Sequence, residues 1–174
     1  MEGNAAIKRY NHLLGELEGV YHDASLLLGM SDSVSQILYT ICVSGGRCLL
    51  HEICRQCGLS KQTVNSAVRK LEKEGMIYLE AVDGKAKRVC LTAAGEAYAA
   101  GTAQEIIRME NEILDTWTAE EVEQYVALSE RFLVDMRARV EELRGRKARE
   151  WNVSSGFPTT LPAGACCVLP SHPL

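Results

Sequence analysis

A helix, a short turn and a second helix follow one another near the middle of the chain, and this pattern restricts the possible folds more than any other. Leu49–Cys57 and Lys61–Glu74 have the composition of helices, and a turn that contains Gly58 separates them. Ser60 can accept a hydrogen bond from the first turn of the second helix, and Gly75 suits the left-handed conformation that often follows a helix end. The spacing predicts a helix–turn–helix.

The second predicted helix separates its apolar residues from its polar residues. On a helical wheel, one narrow arc holds Val64, Ala67, Val68 and Leu71, which we expect to face the core. The opposite face carries hydrogen-bond donors. Asn and Gln pair with adenine, Arg pairs with guanine, and Ser or Lys contacts phosphates, so this face suits the major groove of DNA. The candidate DNA-contacting residues of this helix and its cap are Ser60, Lys61, Gln62, Thr63, Asn65, Ser66, Arg69, Lys70 and Lys73.

The segment that follows is rich in strand-forming residues. MIYLEAV and RVCLT are separated by the turn-like pair Asp83 and Gly84, which predicts a β-hairpin. We expect the turn of this hairpin to carry the cations Lys85, Lys87 and Arg88. A wing of this kind would lie along the DNA backbone and enter the minor groove.

The charge of the chain is unevenly distributed. Residues 47–92 hold nine basic and five acidic side chains, a net charge of +4, whereas the whole chain has a net charge of -4. The remainder therefore carries -8. A basic module inside an acidic protein concentrates the attraction for phosphates on one surface, which favours double-stranded DNA as a partner.

Amphipathic helices are expected on both sides of this module. Apolar residues recur at helical spacing over Ile7–Leu28 and Asp32–Val43, and a long helix after Thr92 is expected to run beyond the compact module. Thr118 and Glu121 form a capping box for a last helix, in which apolar residues keep close to heptad spacing. The apolar stripes of these helices must be covered by other apolar surface, so we predict a homodimer in which the terminal helices interlock.

The predicted fold is mainly α with a small β-hairpin wing: a winged helix-turn-helix flanked by long dimerisation helices. We expect an N-terminal dimerisation helix in residues 1–30, the DNA-binding domain in 31–100 and C-terminal dimerisation helices in 101–150. Residues 151–174 hold all four prolines of the chain and are expected to form a disordered tail.

Other classes of function have less support in the sequence. It contains no Gly-rich phosphate loop, nucleophile motif or metal-ligand spacing, so we expect no enzyme, no cofactor and no metal. His51, Cys54 and Cys57 would span about 9 Å along a helix, which is too far for one tetrahedral ion. The sequence has neither a signal-peptide pattern nor a long apolar run, so a cytoplasmic protein without a membrane partner is expected.

The stretch from about Gly29 to Gly101 resembles the multiple antibiotic resistance regulator (MarR) family of bacterial winged-helix repressors. The resemblance lies in LLHEICRQCGLSKQTVNSAVRKLEKEGMI and in DGKAKRVCLTAAG. The positions that match the family's wing pattern are Asp83, Leu91, Thr92 and Gly95. Lys85 stands where the family usually has Arg, and Lys lacks the planar fork of Arg. The resemblance implies a homodimeric transcriptional regulator on a pseudo-palindromic operator, released by a small molecule or an oxidant.

Three further interpretations stay open. Tyr10, His12 and Tyr39 are candidates for a small-molecule effector pocket, although aromatic residues on a helical stripe more often belong to a core or an interface. A winged-helix protein-interaction module without DNA readout would present an apolar helix face. A cysteine-based redox-sensing regulator needs a thiol with a depressed pKa. The candidate thiols for such a sensor are Cys42, Cys48 and Cys90.

Overall fold

The structure is a computed structural model that describes residues 4–84 and 86–155, with the backbone alone for 151–155. The elements in chain order are α1 (Ala5–Leu27), α2 (Asp32–Val43), β1 (Arg47–Leu49), α3 (Leu50–Gln56), α4 (Lys61–Lys73), β2 (Ile77–Ala81), β3 (Lys87–Leu91), α5 (Ala93–Ala100), α6 (Ala103–Leu114) and α7 (Ala119–Ser155). The chain divides after Thr116 into two compact units, and α1 to α6 belong to the first. The predicted class, mainly α with a small β wing, is confirmed.

The sheet has three antiparallel strands rather than the two of a simple hairpin. β3 lies in the centre, with β2 on one side and β1 on the other. In β1, Cys48 pairs with Val89, so the predicted start of a helix at Leu49 was wrong and α3 begins at Leu50. The reason is tertiary: β1 has only three residues, and its pairing partner lies about forty positions along the chain, beyond any local pattern.

One hydrophobic core holds the first unit together. Its most deeply buried side chains come from α2, α3, α4 and both hairpin strands: Ile37, Leu38, Ile41, Ile53, Val64, Leu71, Ile77 and Val89. All four α4 residues that the helical wheel assigned to the core are buried. The polar face of α4 therefore points away from the core, as the sequence predicted.

The segment after Thr92 forms two helices, which corrects the prediction of one long helix. α5 ends before Gly101, and α6 begins after Thr102, whose hydroxyl donates a 2.7 Å hydrogen bond to the carbonyl of Tyr98. Ala103 and Ile106 of α6 are buried and pack in the same core as α2. The apolar spacing continues across the break, so the sequence pattern did not reveal it. α6 consequently belongs to the compact unit rather than running beyond it.

The first and last helices expose most of their apolar residues. In α1 the only buried side chain is that of Ser25, and α1 ends at Leu27, before Gly29 with its positive φ of 73°. The predicted capping box of α7 is confirmed, because the Glu121 carboxylate accepts a 2.8 Å hydrogen bond from the Thr118 amide and the Thr118 hydroxyl accepts one of 3.2 Å from the Glu121 amide.

The predicted boundary between the last helix and the tail was placed too early. α7 continues to Ser155, five residues past position 150. The rest of the predicted tail, residues 156–174, lies outside the described part of the chain. Within the described ranges, no single helix is long and apolar enough to cross a membrane; α1 and α2 pass that test only when they are taken together, and they are bent by 90°.

Candidate nucleic-acid interface and ligand cavity

α4 is held rigidly at both ends. The Ser60 hydroxyl accepts a 3.1 Å hydrogen bond from the Thr63 amide and lies 2.8 Å from the Thr63 hydroxyl, so both hydroxyls are used in the cap. Past the other end, Gly75 has φ 72°, and its carbonyl accepts a 2.7 Å hydrogen bond from the Thr92 hydroxyl. These contacts fix the register in which the outer face of α4 is presented.

The outer face of α4 forms a shallow groove of polar side chains. The residues that line it are Lys61, Gln62, Asn65, Ser66 and Arg69. Thr63, Lys70 and Lys73 are exposed on the same helix. The ion pairs found in the described ranges leave the cations of α4 without a carboxylate partner. The face is therefore electropositive and accessible to an anionic partner.

The wing places its cations differently from the prediction. Lys87 and Arg88 lie in β3 rather than in the turn, and Lys85 lies outside the described residues. Arg88 donates a 2.9 Å hydrogen bond to the carboxylate of Glu80, its cross-strand partner, so much of its charge is compensated. Lys87 is exposed, and no ion pair within residues 4–84 and 86–155 includes it.

A second groove joins the wing to the start of α4. Lys87 lines it together with His51 of α3, Lys61 and Asn65. His51 was considered from the sequence only as a metal ligand, whereas the structure places it beside the candidate DNA-contacting residues. No local signal marks this position, because the groove is assembled from three elements. Leu50, Cys54 and Ala86 complete the lining of the second groove, and the two grooves share Lys61 and Asn65, so the outer face of α4 is continuous with the wing.

Three thiols of the first unit lie in surroundings that disfavour the thiolate form. Burial raises the pKa of Cys42, and it also raises the pKa of Cys48 and of Cys57. The Cys57 thiol lies 3.3 Å from the hydroxyl of Thr40. A reactive thiol needs a depressed pKa, so these environments give no support to a redox sensor based on Cys42 or Cys48. Cys90 is buried in β3.

A cavity of about 420 Å³ opens between α1, α2, the end of α3 and α6. Tyr39, a predicted pocket residue, lines it, whereas Tyr10 and His12 are not among its lining residues. Glu110, for which the sequence predicted no role, accepts a 2.5 Å hydrogen bond from the Tyr39 hydroxyl and another of 2.5 Å from the Tyr21 hydroxyl. Burial, and then the hydrogen bond and charge of Glu110, raise the pKa of Tyr39 to about 12. The Tyr39 phenol is therefore a hydrogen-bond donor at any physiological pH.

Comparison with known proteins identifies the fold. NMB1585, a MarR family regulator from Neisseria meningitidis, superposes with a TM-score of 0.71 at 18% sequence identity, over 80% of this chain and 99% of that chain. The S. aureus MepR–DNA complex gives 0.58 at 18% identity, over 78% of this chain and 99% of MepR. NadR in complex with 4-hydroxyphenylacetate gives 0.62 at 14% identity, over 76% of this chain and 94% of NadR.

Sequence comparison agrees with the structural one over the central module. No curated protein sequence matches the chain significantly. The model of the MarR family, however, matches residues 28–88, which run from the end of α1 through the helix–turn–helix to the wing. The resemblance stated from the sequence is confirmed: residues 28–88 match the model of the MarR family, and the fold matches the winged helix of MarR-family regulators.

Proposed function

We propose that the chain is a sequence-specific DNA-binding transcriptional regulator that places α4 in the major groove. The observation that carries this proposal is the groove on the outer face of α4, where two amides, a hydroxyl and two cations lie together on a helix whose opposite face is buried. A surface helix with no other role usually mixes both signs of charge, and this face does not. The absence of large apolar side chains from the groove disfavours a protein-interaction module without DNA readout.

The residue types of the groove match the edges of base pairs. Gln62 and Asn65 can each donate a hydrogen bond to N7 of adenine and accept one from its N6 amino group, and Arg69 can donate two parallel hydrogen bonds to guanine. Lys61 and Ser66 suit phosphate oxygens, which position the helix without reading the sequence. The structural similarity to MepR, whose structure contains DNA, supports the same use of the fold here.

We propose further that the regulator is a homodimer on a pseudo-palindromic operator. The large apolar side chains that α1 and α7 expose would be covered by the same helices of a second copy. Two copies of α4 would then read half-sites one helical turn of DNA apart, about 34 Å. We propose finally that the regulator represses transcription by binding at a promoter, and that an effector bound in the cavity beside Tyr39 releases it from the DNA. The complex of NadR with 4-hydroxyphenylacetate supports an effector role for a regulator of this fold.

The test begins with selection of bound sequences from a random pool of double-stranded DNA by the full chain. We expect an enriched inverted repeat, and we expect Arg69→Ala to bind it on the order of tenfold to a hundredfold more weakly per half-site in a gel-shift assay, since one bidentate base contact contributes ~1–3 kcal/mol. The matched control is Arg9→Ala, which removes the same charge from α1 and is expected to leave binding nearly unchanged. Absence of any enriched repeat, or equal binding by Arg69→Ala and the parent, would contradict the proposal.

A further inference from the structure

The cavity between α1, α2 and α6 has an unusual charge. Its lining is made of Tyr21, Ser35, Gln36, Tyr39, Thr40, Val43, Gln56, Cys57, Ile106 and Glu110. Among these described side chains, Glu110 is the only one with a carboxyl group and none is basic. Burial raises the pKa of the Tyr39 phenol to about 12 and also raises the pKa of the Cys57 thiol. The cavity therefore offers one negative charge and no positive charge to a ligand.

The carboxylate of Glu110 is fixed in place by two tyrosines from different helices. Tyr21 of α1 donates to one carboxylate oxygen and Tyr39 of α2 donates to the other, each at 2.5 Å. A carboxylate has about four acceptor positions, so two hydrogen bonds leave room for donors on a ligand. Both phenols act as donors here, which keeps Glu110 in the role of acceptor. The two tyrosines therefore hold the Glu110 carboxylate in a fixed orientation without a ligand.

No ion pair within the described ranges joins a basic side chain to this carboxylate. On the same helix, Arg108 forms an ion pair with Glu105 and a second one, of 2.8 Å, with Glu112. A half-buried charge without a counter-ion has lost part of its hydration and gains little in return, so a cation that enters the cavity is favoured and an anion is repelled. Tyr rings also attract cations through their π faces.

We propose that this cavity binds a small organic cation, an ammonium group on an aromatic or aliphatic body, with Glu110 as its counter-ion. The inference rests on the effector part of the proposed function and adds the charge class of the effector. Val43 and Ile106 supply apolar surface for the body of such a ligand, and Gln36 and Gln56 supply further polar contacts. A carboxylate-bearing ligand would meet Glu110 without a cation to offset the repulsion.

Three probes that share a 4-hydroxyphenyl ring separate charge from shape. Tyramine carries an ammonium group, tyrosol a neutral hydroxyl and 4-hydroxyphenylacetate a carboxylate. In isothermal titration calorimetry with the full chain and no DNA, we expect tyramine to bind at least about tenfold more tightly than tyrosol, and 4-hydroxyphenylacetate to bind most weakly. Equal affinities, a preference for the anion, or binding of none of the three at millimolar concentration would overturn the proposal.

A pair of variants then assigns the preference to one residue. Glu110→Gln keeps the size and the acceptor oxygen but removes the charge, so it should bind tyramine and tyrosol equally. Glu112→Gln removes the same charge from α6 at a position that does not line the cavity, and it should keep the preference of the parent. Far-ultraviolet circular dichroism checks that both variants fold. A preference for tyramine that survives in Glu110→Gln overturns the assignment.

The calorimetric result is independent of DNA binding. A chain that selects tyramine but enriches no DNA sequence would contradict the proposed regulator and keep the cation site. A chain that binds its operator but shows no preference among the three probes would contradict the cation site and keep the regulator.

Discussion

α4 and α7 are both amphipathic helices, but only α4 has its apolar face covered within the chain. Val64, Ala67, Val68 and Leu71 of α4 are buried, and its polar face is outside. None of the described side chains of α7 is buried, and its large apolar residues are all partly exposed. Those exposed by more than a third are Tyr125, Val126, Leu128, Phe132, Leu133, Val134, Met136, Val140 and Leu143. The two helices therefore present opposite chemistry to a partner.

α1, like α7, leaves most of its large apolar side chains exposed. Leu13, Leu14, Leu17 and Val20 are between 40% and 64% exposed, although they recur on a helical stripe. Covering such a side chain completely contributes about 1.5–3 kcal/mol, and soluble monomers rarely expose contiguous apolar patches of this kind. The apolar residues of the winged helix pack within one chain, whereas most large apolar residues of α1 and α7 stay exposed. We propose a second copy as that partner.

The largest expected effect comes from a charge on the heptad stripe of α7. Leu133 lies on this stripe with Val126 and Val140, and Leu133→Arg would place one cation from each copy in a buried seam. Loss of two leucine contacts of ~2 kcal/mol each weakens dimerisation on the order of a thousandfold. Light scattering at micromolar concentration should then report a monomer.

The neighbouring residue provides a matched control for this variant. Val134 is 63% exposed, against 48% for Leu133, but it lies off the heptad stripe. Val134→Arg should therefore keep the mass of the parent in light scattering. Equal behaviour of the two variants would remove the distinction that we draw between the stripe and the rest of α7.

An intermediate effect is expected in the core beneath α4. Leu71 is fully buried, so Leu71→Ala removes apolar contacts and leaves a cavity, which lowers the free energy of unfolding by ~2–5 kcal/mol. Because these contacts lie within one chain, the loss should be the same at low and high protein concentration in urea denaturation. Leu128 is 56% exposed and lies off the heptad stripe, so Leu128→Ala should lower the free energy of unfolding by only about 0.5 kcal/mol. A loss at Leu71 that disappears at high concentration would show that the module depends on its partner.

The sequence predicted those structural features whose pattern and physical cause lie within one helix. The buried face of α4, its Ser60 cap and the Thr118–Glu121 capping box follow from spacing within one helix, and each was predicted. β1 and the break at Thr102 were not predicted, because a three-residue strand forms only when β3 pairs with it and the apolar spacing runs on across Thr102.

The lining of the ligand cavity could not be predicted from the sequence, because its residues come from distant parts of the chain. Glu110 meets Tyr39 and Tyr21 across separations of 71 and 89 residues. Nothing in the sequence around Glu110 distinguishes it from the other carboxylates of α6. Its role depends on the packing of three helices, which no local periodicity encodes. Tyr39 was predicted as a pocket residue from its type alone, while its partner in the pocket was missed.

The smallest expected effect tests whether the electropositive face of α4 extends to the cations of the wing. Lys87 is exposed beside Lys61 in the second groove, whereas Arg88 is paired with Glu80 at 2.9 Å. A phosphate contact by Lys87 releases counterions, so Lys87→Ala should reduce the slope of log affinity against log salt concentration by about 0.9 per chain. Arg88→Ala should change the slope less, because breaking its pair with Glu80 offsets part of what a phosphate contact gains. Equal reductions in fluorescence-anisotropy titrations would mean that Arg88 leaves Glu80 for the DNA, and the electropositive surface would then include Arg88 as well as Lys87 of β3.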